Sequence, residues 1–123
     1  MLERPEVDFP EGPLPQELEV TDLVVGDGDE AVPGSTLLVH YAGVDFESGE
    51  EFDASWNRGK PVEVPLRGLI EGWQVGVQGM RIGGRRKLVI PPHQAYGPAG
   101  NGHRLAGRTL IFVIDLLAVS QQE

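Results

Sequence analysis

Only one stretch of this chain keeps a helical hydrophobic period, and it is too weak to be a helix by itself. Between residues 69 and 80, Leu69, Trp73, Val77 and Met80 recur at steps of four, four and three, and Ile70 widens the same face. Gly72, Gly76 and Gly79 interrupt it, and each weakens a helix by about 1 kcal/mol relative to alanine. Such a segment holds only where other elements pack around it. The spacing predicts a helix over 69–80 and a fold organised to support it.

The rest of the chain reads as strands. Val20, Leu23, Val24 and Val25 mark a first strand, ended by Gly26-Asp27-Gly28. After a Pro33-Gly34 turn, Ser35 to Phe46 forms a long strand in which Leu37, Val39 and Tyr41 alternate with Leu38, His40, Ala42 and Val44. Glu47-Ser48-Gly49-Glu50 suits a hairpin turn into a return strand, Glu51-Phe52-Asp53. Pro61 to Leu66 suits a sheet edge, because Pro65 has no amide hydrogen to give a central ladder. Gly83-Gly84 leads into a strand from Arg85 to Ile90, stopped by Pro91-Pro92. A glycine-rich loop runs from Tyr96 to Gly107, and Thr109 to Val119 is the longest apolar strand, with Leu110, Phe112, Ile114 and Leu116 on one face. Hairpin-linked strands with one helix imply an α+β fold: a mostly antiparallel sheet with the helix across one face, burying Trp73 and Val77.

Residues 1–17 differ in character. Pro5, Pro10, Pro13 and Pro15 exclude helix and inner strand, and Glu3, Glu6, Asp8, Glu11 and Glu17 add charge. This predicts a flexible arm, with Phe9 as the residue able to pin it, ahead of a domain over 18–119 and a short tail over 120–123. A length of 123 residues suits one core. Ten basic against nineteen acidic residues give a net charge of −9, which argues against a nucleic-acid partner. The absence of cysteine excludes disulfides and thiolate catalysis and fits a reducing compartment, so a cytoplasmic location is expected. Met1 to Pro10 carries no long apolar run, and no segment nears the roughly 20 apolar residues of a membrane span. Neither a signal peptide nor a membrane partner is expected.

The usual chemistries find little support. His40, His93 and His103 share no metal-ligand spacing, so no metal or other cofactor is expected, and His40 in mid-strand suits a structural role. Ser35, Ser48, Ser55 and Ser120 sit in turn-like or terminal settings without a nucleophile elbow. The glycines from Gly97 to Gly102 give no strand-GxGxxG-helix unit. Tyr41, Phe52, Trp73, Tyr96 and Phe112 come from five different segments. A shared core is the plainer account of any one of them, although Tyr96, ahead of Gly97-Pro98 in a loop, fits a core poorly. Phe52 is able to face that core, while Asp53 points the other way or ends the strand. Asp53 and Arg58 read either as a local ion pair or as part of a site.

Val39-His40-Tyr41-Ala42-Gly43, Phe52-Asp53-Ala54-Ser55, Ile70-Glu71-Gly72-Trp73, Ala95-Tyr96-Gly97 and Thr109-Leu110-Ile111-Phe112 occur in this order. Together they resemble the FKBP-type peptidyl-prolyl cis-trans isomerases, from about Leu18 to Val119. The resemblance implies a curved antiparallel sheet wrapped around one short helix, and a monomer acting on proline-containing peptides or unfolded proteins. It further implies that Trp73 floors a pocket for the prolyl ring, with Tyr41, Phe52 and Phe112 as walls. Leu69 and Ile70 precede the helix, and the Ile70 N–H and the Tyr96 hydroxyl would bind ligand carbonyls. Asp53 is the pocket carboxylate, braced together with Tyr41 by Arg58. Binding of macrolides such as rapamycin is implied as well.

The chain departs from the family pattern at three places. Val62 stands where many members have phenylalanine, so one wall is expected to be thinner. Arg67-Gly68 alone joins Leu66 to Leu69, which is expected to move Leu69 and the Ile70 amide. His103 and Arg104 lie where many members carry an apolar pair, with Leu105 as a substitute. These departures leave a non-catalytic proline-peptide or partner-binding module as the alternative to an isomerase. A hydrolase ranks third.

Overall fold

A computed structural model describes residues 2–7 and 12–121, the side chain of Gln121 excepted. Six strands form one open antiparallel sheet: β1 (Glu19–Val24), β2 (Ser35–Asp45), β3 (Glu51–Ala54), β4 (Val62–Pro65), β5 (Arg85–Ile90) and β6 (Leu110–Gln121). The spatial order is β1-β5-β6-β2-β3, and β4 also pairs with β2. The eleven residues of β2 are long enough to serve two short neighbours on one edge. Thr36 to Val39 pair with β4, and Ala42 to Val44 pair with β3. Between these two strands the chain leaves the sheet through a 3-10 turn, Ser55–Arg58.

The helix α1 spans only Glu71–Gly76, shorter than the 69–80 that the periodicity predicts. Ile70 is its N-cap, and Val77 to Met80 continue as a turn closed by the Met80 N–H donating to Val77 O at 3.0 Å. Two of the weakening glycines are what let it dock. A Cβ on Gly72 would lie 2.5 Å from the Ile90 side chain, and one on Gly76 would lie 2.7 Å from Leu88. The loss in helix propensity is thus offset by close approach to β5. Arg86 of β5 closes the other end, donating from Nη1 to Gly76 O at 2.9 Å and to Gln78 O at 3.0 Å. These are carbonyls that a helix end leaves without partners.

Alternation sorts the strands into two faces. On the inner face Leu37, Val39, Leu88, Ile90, Leu110, Phe112, Ile114 and Leu116 pack against Trp73, Val77 and Met80 in one buried cluster. On the outer face Val44, Val89 and Ile111 form a second, smaller cluster with Phe46 and with Val7 of the arm.

The arm also differs from the flexible tail expected of it. Arg4 pairs with Glu51, and donates from Nη1 to Asn57 Oδ1 at 2.8 Å. Glu3 O accepts from Arg85. A proline-rich segment needs no ladder of its own when side chains on a sheet receive it. Phe9, the expected pin, lies outside the described residues. Part of the expected tail, Ser120 and Gln121, continues β6 opposite Thr36 and Ser35. The first strand forms where expected, but Val20, Leu23 and Val24 stay exposed on β1, an outermost strand of the sheet.

Candidate functional site

The aromatic residues from separate segments meet on the inner face around a pocket of about 300 Å³. Trp73 and Phe112 are buried at its base, with ring centroids 5.3 Å apart at 79°. Tyr41 stands 5.8 Å from Trp73 at 85°, and Phe52 stands 5.5 Å from Phe112 at 90°. Edge-to-face packing of this kind is favourable between aromatic quadrupoles and holds the walls upright. Gly43 leaves the room they need, since a Cβ there would fall 2.7 Å from Phe52 and 2.9 Å from Phe112.

Phe52 and Asp53 both line this pocket, although neighbours on a regular strand face opposite ways. The pairing of β2 with β3 explains it. Gly43 lies opposite Asp53 and Val44 opposite Glu51, so Phe52 is the extra residue of a bulge. A bulge re-aims a side chain, and here it puts an aromatic wall and a carboxylate on the same side.

Asp53 belongs to a three-residue bracket. The Tyr41 hydroxyl donates to Asp53 Oδ2 at 2.5 Å. Arg58 donates from Nη1 to Asp53 Oδ1 at 3.2 Å and from Nη2 to the Tyr41 oxygen at 3.0 Å. Burial first, and the bond to Asp53 second, push the Tyr41 pKa above its usual value against the pull of Arg58, so Tyr41 stays a protonated donor. Arg58 does not line the cavity. It braces the bracket from the solvent side, and its own pKa is raised further, first by the bond to Tyr41 and then by Asp53.

The opposite wall is built of Val64, Gly68, Leu69 and Ile70. Val62 does not line the pocket. It begins β4 with only a short branched side chain, and Val64, two residues on and on the same face, supplies the wall. The shortened connection keeps Leu69 and Ile70 on the pocket. A 3-10 turn, Leu66–Gly68, closes through the Leu69 N–H donating to Leu66 O at 3.2 Å. Gln74 then ties the connection to the helix, donating from Nε2 to Leu69 O at 2.7 Å. The Ile70 N–H donates to no group among the described residues.

Over the mouth, Tyr96 stacks on His103 with centroids 4.1 Å apart and planes at 6°. Asn101 fixes this loop: its Nδ2 donates to Tyr96 O at 2.5 Å, and its Oδ1 accepts from the His103 N–H at 2.9 Å. The Tyr96 hydroxyl has no hydrogen-bond partner among the described residues. Leu105 is buried and lines the pocket, taking the place of the apolar pair, while His103 and Arg104 also reach the lining.

The other face of the same strands holds a polar cluster that sequence reasoning missed. His40 Nδ1 lies 2.8 Å from Ser55 Oγ, which also accepts from the Tyr41 N–H at 2.7 Å. Trp56 stacks on His40 at 3.8 Å. Asp115, opposite His40 on β6, is held bidentately by Arg85 at 2.6 and 2.7 Å. A serine, a histidine and an aspartate thus come together, but Ser55 is 0% exposed, and its oxygen is used by Tyr41. Asp115 is committed to Arg85. The cluster positions Tyr41 from behind and offers no nucleophile to a substrate. Among the described residues no three His, Asp or Glu side chains gather to hold a metal.

Residues 28–117 match the sequence profile of the FKBP-type peptidyl-prolyl cis-trans isomerases. The chain is 57% identical over 117 residues to a probable FK506-binding protein of Corynebacterium glutamicum, covering 95% of this chain and 99% of that one. It is 56% identical over 122 residues to an FK506-binding protein of Streptomyces anulatus, covering 96% and 98%. Among solved structures, FkpA from Escherichia coli superposes with a TM-score of 0.77 at 38% identity, over 85% of this chain and 48% of that one. A peptidyl-prolyl cis-trans isomerase from Pseudomonas syringae gives 0.75 at 36% identity, over 85% and 76%. By sequence profile, near full-length relatives and fold, the chain belongs to the FKBP-type peptidyl-prolyl cis-trans isomerases.

Proposed function

We propose that the inner-face pocket holds a prolyl ring and lowers the barrier to rotation about the preceding amide, with no covalent step. That barrier, about 18–20 kcal/mol, comes from amide resonance, and unaided exchange takes tens to hundreds of seconds. At the twisted transition state the resonance is lost and the carbonyl is less polar. A dry aromatic box favours that state over the planar amide, which is differential binding of the transition state. Trp73, Phe112, Tyr41 and Phe52 form the box. The Ile70 N–H and the Tyr96 hydroxyl bind flanking carbonyls, and Asp53 orients the polar edge under the brace of Arg58. No proton is transferred, so Asp53 is not a base.

The observation that carries this reading is the convergence of four aromatic rings beside two hydrogen-bond donors that have no partner among the described residues. A non-catalytic module leans on the shortened 66–69 connection. Because Leu69 and Ile70 both line the pocket, we favour the enzyme. The relatives' description as FK506-binding proteins supports macrolide binding at the same pocket. We place the activity in the cytoplasm, a setting that the cysteine-free composition suits. NMR exchange on an X-Pro peptide is the test: acceleration above the uncatalysed rate is expected, and background exchange with a folded sample would refute the reading.

A further inference from the structure

The pocket lining carries charged groups of opposite sign. Asp53 lines the pocket, and its carboxylate accepts from Tyr41 and is paired with Arg58. Arg104 lines the same pocket, exposed, and it forms no ion pair or hydrogen bond among the described residues. Beside it, His103 Nδ1 accepts from the Leu105 N–H at 3.0 Å. In the neutral ring that leaves Nε2 as the donor. The loop presenting both groups is held by Asn101 and by the Gly107 N–H donating to Gly97 O at 2.7 Å. A free guanidinium and an N–H donor thus lie in one pocket lining, on a loop whose backbone is held, in a chain whose net charge is −9.

That overall charge works against an acidic segment at long range, but salt screens such repulsion beyond roughly 8 Å under physiological conditions. At contact distance the local guanidinium decides. We propose that Arg104, with the His103 Nε2–H beside it, makes this isomerase select X-Pro segments that carry a carboxylate adjacent to the proline. The choice rests on the isomerase reading above and adds a substrate class to it. Asp53 does not oppose it, because its charge is already matched by Arg58. A lysine beside the proline gains nothing from this mouth, since the charged lining group without a partner among the described residues has the same sign.

Isosteric pairs isolate the effect. NMR exchange is measured on peptides differing only as glutamate or glutamine, first just before the proline and then just after it. Exposed ion pairs contribute about 0.2–1 kcal/mol, which predicts a glutamate-to-glutamine ratio in kcat/KM of roughly 1.4 to 5 at one position or both. The ratio should shrink with added sodium chloride, drop to about one in Arg104→Gln and fall below one in Arg104→Glu, following the sign of the charge. Because each ratio compares two peptides on one protein, a loss of folded protein cancels. A ratio of one or less at both positions, with glutamine peptides still accelerated, overturns the preference alone. So does a ratio that Arg104→Gln leaves unchanged. No acceleration of any peptide refutes the isomerase reading and the preference with it.

Discussion

The two faces of one sheet use the same strands for opposite ends. Tyr41 and Phe112 point inward from β2 and β6, and His40 and Asp115 point outward from the same two strands. Inside, the surface is aromatic, and the polar groups at its rim, the Ile70 N–H and the Tyr96 hydroxyl, have no partner among the described residues. Outside, every member of the Ser55, His40, Asp115 and Arg85 cluster is engaged. Residue types alone would rank the outer face as the catalytic one. What separates the faces is availability: a buried polar group that is already satisfied has nothing left to offer a substrate.

Breaking the outer face should cost stability and spare the pocket. Arg85→Ala leaves Asp115 buried without its bidentate partner, and losing one partner of a buried pair costs about 3–5 kcal/mol. Urea unfolding should show that loss, while the protein still folded should retain the macrolide binding proposed for the pocket. An equal fall in affinity would mean that the faces are coupled.

Tyr96→Phe should do the reverse. It removes a hydroxyl that stabilises nothing within the described chain, so the urea midpoint should not move. A lost hydrogen bond of about 0.5–1.5 kcal/mol predicts roughly two- to twelvefold weaker rapamycin binding by calorimetry. Unchanged affinity would remove Tyr96 from the site.

The smallest expected effect is a pH dependence confined to the outer face. Burial lowers the pKa of His40, and Asp115 only partly opposes it. The folded state therefore favours the neutral ring. Its contribution to stability is complete above the usual histidine value of about 6.5 and is lost as pH falls through the lower folded value. His40→Gln should flatten that part of the stability profile. A profile identical to that of the unsubstituted protein would show that another group titrates there.

Much of this was legible in the sequence. Periodicity marked the strands, and Pro91-Pro92 stopped β5 where expected. Five short motifs located Tyr41, Phe52, Asp53, Trp73, Tyr96 and Phe112, and the structure brings all six to one cavity. What stayed hidden depends on register. Asp53 joins Phe52 on one side only through a bulge, and no local pattern announces a bulge. Val64 rather than Val62 forms the wall because of where β4 begins on β2. His40 finds Ser55 fifteen positions away, and finds Asp115 only once β6 is laid beside β2. The glycines of α1 read as weakness because their benefit, close contact with Ile90 and Leu88, lies on another strand. The arm read as loose for the same reason, since Arg4 and Val7 have distant partners.

The central claim is that an aromatic pocket without a nucleophile carries the isomerisation. Exchange of one X-Pro peptide, compared between Trp73→Leu and Ser55→Ala with both samples verified as folded, tests it directly. Removing the indole floor should lower kcat/KM at least about tenfold, which is about 1.4 kcal/mol of transition-state binding. Removing the serine hydroxyl should leave activity within a few-fold, as suits a group that only positions Tyr41. Retained activity in Trp73→Leu together with abolished activity in Ser55→Ala would place the chemistry on the outer face and contradict the account.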